Sequence, residues 1–156
     1  MASVNARLAE LGIDIPDVAA PVAAYVPAVI HGDLVFSSGQ LPFISGALPA
    51  TGKVGEGHGL VPAADAKDYA RTAALNALAA VKSVIGDLDR VTRIVKVVGF
   101  VASDPSFTAQ PGVINGASEV FGEIFGDAGI HARSAVGVAV LPLDSPVEVE
   151  VIVAFK

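Results

Sequence analysis

Apolar positions along the chain fall into two periods. From Pro62 to Ile85, Ala66, Ala70, Ala73, Ala74, Ala77, Val81 and Val84 recur along one side of a helix, with Pro62 near its start and Gly86 as its stop. The many alanines on that side predict a close approach to a sheet. From Gly112 to Phe125, Val113, Ala117, Val120, Phe121, Ile124 and Phe125 repeat at helical spacing, and Gly126 ends the pattern. Between these helices, Ile94 to Ala102 is an almost unbroken valine-rich run, as expected of a strand covered on both faces. Near the N-terminus, Ser3 to Leu11 reads as a short docking helix with Ser3 as N-cap, Gly12 as stop, and Leu8 and Leu11 as apolar contacts. Val22 to Ile30 and Leu34 to Gly39 read as the arms of a hairpin around His31-Gly32-Asp33. Ile44 to Val61 turns rich in Gly, Pro and Thr, which predicts a long surface loop with at most a short strand at Lys53 to Gly55.

The C-terminal segment alternates strictly. Ser134 to Val140 and Val147 to Phe155 read as two strands of a hairpin joined by Leu141 to Pro146. Pairing them predicts that Val136, Val138 and Val140 align with Val147, Val149, Val151, Val153 and Phe155 toward the helices. Arg133, Ala135, Gly137 and Ala139 would then share the other face with Glu148, Glu150, Ile152 and Ala154. Isolated charges among small and apolar residues predict a second copy packed on that face. In such a hairpin Arg133 and Glu148 stand about six residues, or about 20 Å, apart along the strands. A small ligand could touch both only across a subunit boundary.

Composition agrees with burial between copies. The chain is 53% hydrophobic but only 17% charged, and its mean hydropathy is +0.62. That is too little polar material to clothe a monomer comfortably. A length of 156 residues implies one domain, 1–156, with 1–20 as an N-terminal extension. No cysteine is present, which removes disulfide scaffolds, thiolate zinc sites and thiol catalysis. The longest apolar stretch, Val18 to Ile30, is about 13 residues and contains Pro21 and Pro27, against the roughly 20 that a membrane span needs. No signal-peptide pattern is readable, so a cytoplasmic location is expected. A net charge of −6 with scattered Lys and Arg argues against nucleic-acid binding. His31, His58 and His131 lack metal-ligand spacing and read as solvated turn residues, so no metal is expected.

The run His131-Ala132-Arg133-Ser134-Ala135-Val136-Gly137-Val138-Ala139-Val140-Leu141-Pro142, followed by Val147-Glu148-Val149-Glu150, resembles the closing signature of the RidA (YjgF-type) imine/enamine deaminases. Phe36-Ser37-Ser38-Gly39-Gln40-Leu41-Pro42 resembles their early strand signature, and Val113-Ile114-Asn115 matches the opening of their second helix. The resemblance runs from about Pro21 to Phe155. It implies an α+β, chorismate-mutase-like fold: a mixed β-sheet with two helices packed on one face, assembled as a homotrimer with clefts between subunits. It also implies hydrolysis of reactive 2-imino or enamine acids to 2-keto acids and ammonia, without a cofactor. By position, Arg133 corresponds to the arginine that binds the substrate carboxylate and Glu148 to the acid near the attacking water. Asn115, Tyr25, Ser38 and Gly39 correspond to residues lining the cleft.

The chemistry of these residue types is consistent with that role. A planar guanidinium grips a carboxylate in two-point fashion, and a protonated imine is electrophilic enough that water needs orientation more than a strong base. The chain departs from the family pattern at Ala135, where many members carry Cys, and at Gly137, where a larger or charged residue is common. Both changes predict a roomier pocket floor. The 44–61 loop and the N-terminal helix are further additions that mark a side branch. The blander readings are an interface ion pair between Arg133 and Glu150, and a carboxylate-binding module without turnover on the same scaffold.

Overall fold

The computed structural model describes residues 2–21 and 23–156; Val22, at the expected start of the first hairpin arm, lies outside the described residues. Helix α1 (Val4–Leu11) starts where Ser3 Oγ accepts the Ala6 amide at 3.0 Å and ends at Gly12, whose φ of 65° is left-handed. Strands β1 (Ala28–His31) and β2 (Leu34–Ser37) form an antiparallel hairpin around Gly32-Asp33. His31 pairs with Leu34, so it closes the strand and leaves a two-residue turn in which Gly32 adopts φ 61°.

Helix α2 (Ala63–Ile85), strand β3 (Val91–Ala102), helix α3 (Gln110–Phe125), strand β4 (Ala132–Val138) and strand β5 (Val147–Phe155) complete the order. The five strands run β1-β2-β5-β3-β4 across one mixed sheet. Helix α2 lies over β5, β2 and β1, while α3 lies over β3 and β4. Helix α1 docks outside them, burying Leu8 and donating from Arg7 Nε to the Glu123 carbonyl.

The alanine side of α2 is fully buried at Ala66, Ala70, Ala73, Ala74 and Ala77, with Val81 beside them. Small side chains let α2 lie close to both the sheet and α3. The tightest point is Gly116, where a Cβ would collide with the Lys67 carbonyl of α2. Lys67 to Glu119 and Arg71 to Glu123 then clamp the outer edges of the two helices at 3.1 and 3.0 Å. The 44–61 segment is more deeply anchored than a surface loop. Val54 is wholly buried and exchanges backbone hydrogen bonds with Ala102 and Asp104, so the short strand expected there is reduced to one residue, bridged to Ser103 just beyond β3 and to Val61.

The expected terminal hairpin does not form. Strand β5 pairs antiparallel with β3, and β4 pairs parallel with the other edge of β3, so β3 separates them. The physical reason is the connection: α3 carries the chain from β3 over to β4 in a parallel crossover, and the Leu141 to Pro146 segment then passes β3 to reach β5. The faces change accordingly. Arg133 pairs with the buried Val97, Ala135 with Gly99 and Gly137 with Val101, so these three look toward the helices. Val136 and Val138 look away from them, on the side of Glu148 and Glu150, contrary to the alignment expected from the sequence. The open face thus carries Val29, Phe36, Val98, Phe100, Val136, Val138, Ile152 and Ala154. Among the described residues no helix is long and apolar enough to cross a membrane.

Because Gly116 meets backbone rather than a movable side-chain tip, Gly116→Ala is expected to destabilise the chain by about 1–3 kcal/mol through overpacking. Gly122→Ala in the same helix has open space and should be neutral or stabilising. Equilibrium urea unfolding of the two variants checks the contrast, and equal effects would contradict the close α2–α3 contact.

Candidate functional site

Between Phe36, which pairs with Ile152, and Gln40, which bridges to Val149, strand β2 contains one more residue than β5. Ser37 fills the gap with its side chain, Oγ accepting the Val151 amide at 2.9 Å. Ser38 and Gly39 consequently bulge away from the sheet. Ser38 is fixed in turn by its amide and hydroxyl, which donate to the Pro27 and Val26 carbonyls at 2.8 and 2.6 Å. At Gly39 a Cβ would occupy the space of the Glu148 carboxylate. Only glycine lets the bulge and the acid lie side by side.

The bulge forms one wall of a cavity of about 550 Å³ that contains Tyr25, Ser38, Gly39 and Glu148. Its remaining surface is largely apolar, with Pro27, Leu41, Phe43 and Leu143 joined by Ala19 and Ala20 of the N-terminal extension and by Pro21 and Ala23, among the described residues. Glu148 is half-buried here, and burial first, then the like charge of Glu150, pushes its carboxyl above its ordinary value. A carboxylate so poised gives up and recovers a proton nearer neutrality than an exposed one.

Arg133, Asn115 and Ala135 are elsewhere. Arg133 reaches from β4 to the first turns of α3, where Nη1 donates to Asn115 Oδ1 at 2.8 Å and to Ser118 Oγ at 3.2 Å, and Nη2 donates to the Pro111 carbonyl at 3.3 Å. A guanidinium has five N–H donors. The Nε–H and one Nη2–H therefore have no partner among the described residues, and no carboxylate there pairs with Arg133. These two groups can present a two-point edge to a carboxylate. Ala135 packs against the core between sheet and helix, and Gly137 leaves room that Gln110 and Ser103 occupy.

The expected residues thus form two groups. In register along β3, Arg133 lies beside Val97 and Glu148 beside Phe100, on opposite edges of that strand and opposite faces of the sheet. Three residues along and two strands across amount to roughly 14 Å between backbones, with the side chains diverging. The earlier figure of about 20 Å rested on the hairpin that does not form. Two polar residues went unrecognised in the sequence: Ser118, one turn from Asn115 on the same side of α3, and His131, which is half-buried and hydrogen-bonded rather than solvated. The three-residue spacing of Asn115 and Ser118 was the available signal for Ser118. His31 and His58 are exposed as expected.

A mixed sheet backed by two helices, with an acid in an apolar cavity and a polar arginine cluster at the far edge, defines an α+β protein of the chorismate-mutase-like class with the makings of a small-molecule site. The chain belongs to the YjgF family: the family model described as "YjgF/chorismate mutase-like, putative endoribonuclease" matches residues 5–154. It is 43% identical over 151 residues to Protein TCP17 of Trypanosoma cruzi, covering 96% of this chain and 92% of that protein. The crystal structure of Atu1372 from Agrobacterium tumefaciens, a protein of unknown function, is 44% identical, with a TM-score of 0.88 over 98% of this chain and 92% of the other. Escherichia coli TdcF with bound serine is 27% identical, with a TM-score of 0.66 over 89% and 94% of the two chains.

The raised Glu148 value has a testable cause. Glu150→Gln removes the like charge, so the Glu148 titration followed by carboxyl-carbon NMR should move to lower pH while staying above the ordinary value, because burial is the larger cause. The folded chain binds this proton more tightly than the unfolded chain. Stability should therefore fall as pH rises through the interval above the ordinary carboxylate value, and Glu148→Gln should flatten that fall in thermal melts.

Proposed function

We propose that this protein hydrolyses reactive 2-imino or enamine acids to 2-keto acids and ammonia, at clefts completed between subunits of a homotrimer. The observation that carries this reading is the division of the site: an arginine with an unused two-point edge on one side of the sheet, and an acid in a cavity on the other. Each group lacks what the other supplies. The open sheet face, apolar around Lys96, Glu148 and Glu150, is the surface on which subunits would meet. Serine bound to TdcF, a related structure, supports a ligand carrying a carboxylate and a nitrogen on the same carbon.

The chemistry requires little apparatus. Arg133 holds the substrate carboxylate and so fixes the adjacent C=N carbon. Glu148 of a neighbouring subunit accepts a proton from water as the oxygen adds to that carbon. The resulting carbinolamine receives that proton back on nitrogen, its hydroxyl gives a proton to the Glu148 carboxylate as the C–N bond breaks, and ammonia departs to leave the 2-keto acid. The raised Glu148 value suits a group that must take a proton and return it. Tyr25, Ser38 and Gly39 shape the cavity around the reacting centre, and no cofactor enters this scheme. The net charge of −6 speaks against a phosphate backbone as substrate.

Iminobutyrate generated by an amino-acid oxidase and competed for by semicarbazide provides the assay. Wild type should suppress semicarbazone formation, and Arg133→Ala and Glu148→Gln should each abolish the effect. Dissociated, mixed and reassembled in equal amounts, the two inactive variants should recover about a quarter of wild-type activity, since one cleft in four then receives both intact residues. Activity confined to homogeneous wild type would place the site within one chain. Arg133-dependent binding of 2-oxobutyrate by a wild type that never outpaces buffer would instead establish a binding module.

A further inference from the structure

His131 does not belong to either group of expected site residues, yet its ring is held at both nitrogens. Nδ1 lies 2.6 Å from the Gly129 carbonyl oxygen, which can only accept, so Nδ1 carries the proton. In the neutral ring Nε2 is then an acceptor, and it lies 2.9 Å from Ser118 Oγ. The Ser118 hydroxyl proton therefore points to His131, which turns the oxygen's lone pairs toward Arg133 Nη1 at 3.2 Å. The ring plane is set by an edge-to-face contact with the buried Phe121, at 6.0 Å between centroids and 88° between planes.

From this geometry we infer that His131, acting through Ser118, is a positioning residue that aims the free edge of Arg133 at a substrate carboxylate. With the imidazole neutral, the polarity of the chain runs one way, from the Gly129 carbonyl through imidazole and hydroxyl to guanidinium. With both Nη1 protons engaged by Asn115 and Ser118, the planar guanidinium cannot swing about the Cδ–Nε bond without losing two hydrogen bonds. Its unused Nε–H and Nη2–H then face one direction. Without the imidazole acceptor, the Ser118 hydroxyl is free to turn to a backbone carbonyl of its own helix, and the orientation of Arg133 loosens.

The inference rests on the reading of Arg133 as a carboxylate-binding group, and the test separates the two. Binding of 2-oxobutyrate and of its uncharged amide, 2-oxobutanamide, is measured by calorimetry for wild type and variants of verified assembly state. His131→Phe keeps the ring packing on Phe121 but removes both polar links. It should weaken 2-oxobutyrate about 3–10-fold, the scale of one net hydrogen bond, and leave the amide within about twofold. Ser118→Ala should match it. His131→Gln, whose amide oxygen can accept from Ser118, should recover most of the loss, and this pair carries the test if the Phe variant does not fold. Equal weakening of both ligands, or none while Arg133→Lys still matters, would overturn the positioning role alone. Indifference of 2-oxobutyrate binding to Arg133→Lys would overturn the carboxylate reading and the inference with it.

Discussion

The pairing of β3 with β4 on one edge and β5 on the other is the constraint on which the rest of the molecule depends. Neighbouring residues in register share a face, so the partners of Val97, Gly99 and Val101 all look toward the helices. On β5 those partners are valines that fill the core. On β4 they are Arg133, Ala135 and Gly137, at the sheet edge where α3 gives only partial cover. One rule of parity thus buries a valine row at the centre of the sheet and stations an arginine at its margin. It also turns Glu148 and Glu150 to the opposite face.

The helices hold this arrangement by being small. Alanines along α2 and Gly116 on α3 bring two helices and a sheet close enough to exclude water from one continuous core. Close packing fixes α3 against β4, and that fixes Asn115 and Ser118 beneath Arg133. Precision at the guanidinium is therefore inherited from methyl groups and missing side chains some distance away. The cavity on the other face has a different origin: a bulge in β2, tied down by Ser37 and Ser38, opens the sheet edge beside Glu148. Its apolar wall comes partly from the N-terminal extension, which gives that extension a place in the cavity as well as in docking.

Local signals carried far. The boundaries of α1 and α2 and the end of α3 were legible because caps, stops and helical spacing are properties of neighbouring residues: Ser3 and Gly12, Pro62 and Gly86, and the apolar repeat before Gly126 all act within a few positions, whereas α3 begins at Gln110, two residues before the expected Gly112. The turn joining β1 and β2 was legible for the same reason, but the first arm is shorter than expected: residues 23–27 lie outside β1 (Ala28–His31). Tyr25, Ser38, Gly39 and Glu148 were recognised through motifs and do share one cavity. Arg133 with Asn115 was likewise recognised and is joined by a hydrogen bond. His131 was not, because a histidine two residues before a strand arginine has no local mark of the serine that will reach it from a helix.

The sequence by itself determined the helices, the approximate positions of the strands, a surplus of apolar over charged residues, and the motifs of the YjgF family. Strand order was decided only by the tertiary structure. Alternation along Ser134 to Val140 and Val147 to Phe155 specifies two faces for each strand but not which strand lies next to which, and adjacency in sequence favoured a hairpin. Inserting β3 between them costs no change of local conformation, yet it reverses the face of Arg133 relative to Glu148. Side-chain direction in a sheet is a local property up to a sign, and only the long-range pairing sets the sign.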